Sequence, residues 1–148
     1  MDKSIILTNS LTEVEPLHQF VDSVCGEMGI DEMTMSMINL AIEELVVNVI
    51  NYAYPEGTEG KIGLRAFDEA GVLYFVITDS GVAFDPTAAE DADITLSAEE
   101  RKIGGLGIHL VRNIMDGMKY ERTDGQNILT LNKKIPEGDP FAGLGLDE

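Results

Sequence analysis

The stretch AIEELVVNVINYAY, residues 41–54, constrains the fold more than any other. At helical period it is apolar on nearly every side except along one narrow strip. Residues four and seven positions apart return to nearly the same azimuth, so Glu44, Asn48 and Asn51 share the strip while Ile38, Ile42, Leu45 and Val49 face the core. Burying a carboxylate or amide without a partner costs roughly 1 to 3 kcal/mol or more, so the strip must reach water or line a polar pocket.

The flanking sequence supplies the other elements. KSIILTNS opens as a short strand, and TEVEPLHQFVDSVCGEMG follows as an amphipathic helix that Gly29 ends. Asp31 is the N-cap candidate of the apolar helix, which runs to about Tyr54 before Pro55 and Gly57 stop it. KIGLRAF and VLYFVITDS are strand-like runs at hairpin spacing, with Gly71 in the turn. From Gly81 to Gly105 the chain is small, acidic and turn-rich, and so long an unpatterned span inside a domain marks a functional loop or lid. LGIHLVRNIMDGM restores a helix with Leu106, Leu110, Ile114 and Met118 on one side, and MKYERT and NILTLNKKI form two more strands around Gly125. This order predicts an α+β two-layer sandwich, with helices on one face of a mixed, largely antiparallel sheet. A single domain is expected over residues 1–135, with 136–148 a flexible tail.

The composition, 44% hydrophobic and 25% charged, is that of an ordinary globular domain, and no apolar run is expected to reach the roughly 20 residues that cross a bilayer. MDKSIILTNS is too briefly apolar for a signal peptide, so a cytoplasmic location is expected. The single cysteine, Cys25, excludes an internal disulfide and a cysteine-rich zinc site and fits a core position. A net charge of −17 repels phosphate backbones and anionic membranes over about a Debye length. Direct nucleic-acid or membrane binding is therefore not expected. A basic protein partner is compatible with the charge, as is a role in solubility alone.

Three motifs follow one another: ExxxN on the apolar helix, DSGVAFDP after the most apolar strand, and GGLG before a helix. Asp79 suits an exocyclic amine such as adenine presents, and Gly81 beside it allows close backbone approach. Gly104, Gly105 and Gly107 enter a helix start, where unpaired amides suit phosphate oxygens. Taken in order, the set resembles the GHKL superfamily of ATP-binding domains, and within it the anti-sigma factor serine kinases, over about residues 3–134.

The resemblance implies a Bergerat-type ATP-binding fold, with ATP and Mg²⁺ as cofactors. It implies that Asn48 holds Mg²⁺ and that Glu44, one turn earlier, is the base for an attacking serine hydroxyl. Asp79 and Gly81 correspond to the adenine site, and Gly104, Gly105, Leu106 and Gly107 to the segment covering the phosphates. The lid corresponds to about Pro86 to Ile103, with Arg101 and Lys102 at its end as candidate cations for the γ-phosphate. Asn127 stands where the family often has a threonine near the adenine. Tyr52 and Tyr54 are expected to pack or to edge the groove, and His18 and His109 to lie on helix surfaces with no companion carboxylate in sequence. Partners implied are a sigma factor or similar regulator, a small anti-anti-sigma substrate of STAS type, and a second copy in a homodimer. Alternatives are a nucleotide-dependent switch that transfers no phosphate, a detached histidine-kinase-like module, and an acidic interaction domain that binds no nucleotide.

Overall fold

The computed structural model describes residues 1–88 and 105–135. Strand β1 (Asp2–Thr8) leads through a short 3₁₀ turn into helix α1 (Val14–Glu27) and then helix α2 (Glu32–Asn48), whose last residues continue as one wide π turn, Val49–Ala53. Strands β2 (Lys61–Glu69) and β3 (Val72–Asp79) form a hairpin, helix α3 (Gly105–Ile114) follows, and β4 (Gly117–Thr123) and β5 (Gln126–Lys134) form a second hairpin. The sheet order is β1-β2-β3-β5-β4.

Every neighbouring pair is antiparallel, so the sheet is not mixed as the sequence reading allowed. The second hairpin explains this: β5 inserts next to β3 and runs against it, so β4 and β3 share a direction without touching. Both hairpins turn on two residues of positive φ, Ala70 and Gly71 in one and Asp124 and Gly125 in the other. Such turns match the twist of the flanking strands, and the glycine takes its angle without steric cost.

The helices cover one face of the sheet. Alternation drives Ile62, Leu64 and Ala66 of β2 and Leu73, Phe75 and Ile77 of β3 inward, where they meet Ile38, Ile42, Leu45 and Val49 of the apolar helix. Asp31 caps α2 by accepting from the Thr34 amide at 3.0 Å, and Cys25 is fully buried. Residues Glu32–Ala53, 22 in all, are by length and composition alone apolar enough to cross a bilayer, contrary to the sequence reading. In the structure the inward side of this segment is part of the shared core.

Two periodicity readings fail for identifiable reasons. The second half of the chain places Ile108, Val111, Ile114 and Met115 in the core, while Leu110 is only partly buried and Met118 belongs to β4. Helix α3 stops at Ile114, whose carbonyl takes the Lys133 ammonium at 2.6 Å, and the Asp116 amide donates to Asn132. Pairing with β5 thus overrides the helical pattern. The strip on α2 also breaks: Asn48 is buried and Glu44 half-buried, but Asn51 is exposed, because the π turn alters the residue count per turn between Asn48 and Asn51.

Candidate nucleotide site

The strand period that buries Leu73, Phe75 and Ile77 also carries Asp79 inward at the last position of β3, where it is 4% exposed. The register sets Asn127 of β5 directly opposite. Asn127 Nδ2 donates to Asp79 Oδ1 at 2.9 Å and to the Val82 carbonyl at 2.8 Å. Its Oδ1 accepts from the Phe84 amide at 3.3 Å and from the Tyr120 hydroxyl. Two donor hydrogens and two lone pairs are all the amide has, so Asn127 is saturated inside the protein and acts as a brace for Asp79. The Gly81 amide supplies a second donor to Asp79 Oδ1 at 2.9 Å.

Leu45, Val49, Ile77 and Leu129 form the apolar walls of a narrow cleft beside Asp79, and Phe84 borders it. At about 10 Å³ this space is closed to a ring as it stands; its lining, apolar walls beside a held carboxylate, has the chemistry that a flat heteroaromatic ring with an amine edge requires.

Gly81 is pressed against the end of the π turn. A Cβ there would collide with the Ala53 carbonyl, the same carbonyl that accepts from the Val82 amide at 2.7 Å. Arg122 Nη1 donates to the Gly81 carbonyl at 2.8 Å. Tyr54, buried at the end of the same turn, donates its hydroxyl to the Lys61 carbonyl at 2.7 Å and accepts from the Ser80 amide at 3.0 Å. The π turn therefore docks the end of the α2 segment onto the loop that follows β3. Tyr52 is more exposed and lies near Phe84, their ring centres 5.9 Å apart.

Glu44 and Asn48 are one turn apart on α2. Asn48 is 5% exposed, and its buried Nδ2 has no hydrogen-bond partner among the described residues. The open Nδ2 is a donor and suits an acceptor oxygen that arrives with a nucleotide, whereas a metal would be held by the amide's Oδ1. Gly107, in the first turn of α3, packs directly on Glu44: a Cβ there would overlap the carboxylate. The glycine thus makes the contact between the reactive-looking carboxylate and a helix N-terminus possible. These residues suit a Mg²⁺-bound nucleotide, for which Asn48 offers the amide and the start of α3 offers backbone N–H groups.

Of the residues singled out from sequence, Asp79, Gly81 and Asn127 come together in one cluster, and Glu44 of α2, one turn from Asn48, meets Gly107 of α3. Gly105 opens α3 and Leu106 is its second residue. Arg101, Lys102, Gly104 and the lid beyond Ala88 lie outside the described residues. His18 does have a carboxylate neighbour, Glu43 on α2, with Nε2 and Oε2 3.3 Å apart. Sequence reasoning missed the hydroxyl of Tyr120, the bracing hydrogen bonds of Tyr54 and the guanidinium of Arg122. Each acts on a backbone or amide group that only the sheet register and the π turn bring near.

Comparison with known proteins identifies the family. The model of the histidine kinase-like ATPase domain matches residues 7–133. A serine/threonine-protein kinase of Bordetella bronchiseptica, BtrW, is 32% identical over 94 residues, covering 64% of this chain and 66% of that protein. The serine-protein kinase RsbW of Halalkalibacterium halodurans is 28% identical over 109 residues, covering 71% of this chain and 66% of its own length. The chain thus spans just under two thirds of each of these relatives. RsbW of Listeria monocytogenes is 23% identical over 121 residues, with 79% and 76% covered. Among solved structures, the RsbU and RsbW domains of a Mycobacterium tuberculosis protein align with a TM-score of 0.64 at 17% identity, over 90% of this chain and 32% of that one, which shows a shared fold. With the family match running from β1 to β5, the chain belongs to the histidine kinase-like ATPase domain family.

Proposed function

We propose that the protein is an ATP-dependent serine/threonine kinase acting as an anti-sigma regulator. It phosphorylates a small anti-anti-sigma protein of STAS type and sequesters a sigma factor once that antagonist is modified. The observation that carries the reading is the contact between Glu44 and Gly107, which sets a carboxylate at the start of α3 and one turn from the buried amide of Asn48. Relatives named as serine kinases support it.

Asp79, oriented by Gly81 and Asn127, accepts from the adenine amine, and the apolar walls exclude water from the ring. Asn48 would hold the metal and the amides of Gly105, Leu106 and Gly107 the phosphates; Gly104 and Arg101, outside the described residues, are the further amide and the cation that this reading assigns to the γ-phosphate. When bound, Mg²⁺ neutralises phosphate charge that this acidic chain would otherwise repel. Glu44 accepts the proton of the substrate hydroxyl as its oxygen bonds to the γ-phosphorus. The bond to the bridging β–γ oxygen breaks, and that oxygen leaves with ADP. Phosphorylation adds about two negative charges to the antagonist and favours its release from an acidic surface.

The test is label transfer from γ-labelled ATP with Mg²⁺ to a panel of purified small STAS-domain proteins, comparing wild type with Glu44→Gln. Label on serine or threonine that is lost in the variant, while the ATP-induced rise in Tm persists, is the expected result. Equal labelling by the variant removes Glu44 from the chemistry. No labelling by a wild type that binds ATP replaces the kinase with a nucleotide-dependent binding switch.

A further inference from the structure

Three large apolar side chains of α2 face outward: Met33 is 75% exposed, Met37 42% and Leu40 48%. They precede Glu44 by eleven, seven and four residues, the spacings that return to one helix azimuth, so they form a stripe that ends at the carboxylate. At a rise of about 1.5 Å per residue the stripe is about 16 Å long, a length suited to one face of a small protein. The segment that carries the stripe has formal charge of one sign. No lysine or arginine occurs between Lys3 and Lys61, whereas Asp31, Glu32, Glu43 and Glu44 stand on α2 or at its start.

We propose that this stripe is the docking surface for the protein substrate of the kinase. Its occupant presents an apolar patch rimmed by lysine or arginine, with the acceptor hydroxyl at the end nearest Glu44. The inference rests on the kinase reading for the identity of the occupant. Two observations carry it. The stripe is continuous with the carboxylate, so a macromolecule that brings a hydroxyl to Glu44 along α2 covers it. The carboxylates of α2, on a segment without lysine or arginine from residue 4 to 60, favour a basic counterpart and disfavour the phosphorylated product. Exposed methionines suit such a surface, since their flexible thioethers adapt to a partner's shape.

The test measures binding of the same STAS-domain panel to the Mg²⁺-ADP form of wild type, of Glu44→Gln, of the combined Met33→Gln, Met37→Gln, Leu40→Gln variant, and of Glu32→Lys. Circular dichroism and the nucleotide-induced Tm shift verify folding of each, and size-exclusion chromatography gives its oligomeric state. The expected result is affinity weakened about tenfold or more by the triple variant and weakened with a smaller salt dependence by Glu32→Lys, with Glu44→Gln still binding. Where wild type labels a panel member, the triple variant raises KM and leaves kcat in place. If wild type binds without labelling and the triple variant loses that binding, the kinase reading falls and the docking surface stands. Unchanged affinity in the triple variant overturns the docking surface, as does failure of every panel member to bind. A dimeric wild type that becomes monomeric in the triple variant also overturns it, making the stripe a contact between copies of this chain.

Discussion

Asp79 is a buried carboxylate whose position is fixed by two donors on the same oxygen, and Asn127, which supplies one of them, has no hydrogen-bonding capacity left. Asn127→Ala strands the Phe84 amide and the Val82 carbonyl as well. It is expected to lower stability by about 1 to 3 kcal/mol in urea unfolding and to weaken Mg²⁺-ATP binding in titration calorimetry. Gly107→Ala drives a methyl into Glu44. Phosphoryl transfer measured with that variant should fall by more than about tenfold, as expected when a reacting group is displaced by about 1 Å. Cys25 offers a residue-level check of packing. Burial pushes its thiol from an ordinary value of 9.0 up to about 11. The unfolded chain therefore releases this proton first as pH rises, and stability declines from about pH 9 toward about 11. At pH 8 a thiol reagent should label Cys25 slowly in the native protein and rapidly in denaturant.

At the scale of elements, the π turn Val49–Ala53 is the part that no periodicity announced. A run of apolar residues has no mark for a turn with one extra residue, and what fixes it here is a long-range contact between Ala53 and the loop after β3. Tyr54 seals that contact. Tyr54→Phe removes the hydroxyl that joins the Lys61 carbonyl and the Ser80 amide in a part-buried site, and should cost about 0.5 to 1.5 kcal/mol by denaturant unfolding with little change in the far-ultraviolet spectrum. The start of α2 was legible, since Asp31 is an N-cap by residue type and by the hydrogen bond it makes. The Thr34 side chain and amide hold the Asp31 carboxyl below its ordinary value of 3.8. A depressed carboxylate stabilises the fold above its unfolded value and loses that contribution as pH falls through the lower, folded value. Asp31→Asn, which keeps a cap but cannot titrate, should flatten the acid limb of the Tm profile below about pH 4.

For the whole molecule, the arrangement of charge matters more than its sum. The ten lysines and arginines leave the stretch between Lys3 and Lys61 empty, so the surface of α1 and α2 is acidic while the cations sit on the sheet and in the second half of the chain. A nucleotide can join such a host only with its charge offset. Mg²⁺-ATP at about a hundredfold above its Kd should raise native stability by about 2.7 kcal/mol, and ATP with a chelator should raise Tm far less. Sequence alone determined the elements, the core side of α2 and the three motifs, because these rest on short-range periods and residue types that repeat within a few positions. It also determined that Asp79 ends a buried strand, since the same alternation that makes Phe75 a core residue makes Asp79 face inward. Tertiary structure decided the rest. It set Asn127 opposite Asp79, brought Gly107 onto Glu44, moved Asn51 to the surface and ended α3 before Met118. Each depends on strand register, or on packing between segments tens of residues apart, and a local pattern carries no information about which distant backbone will fill the space beside it.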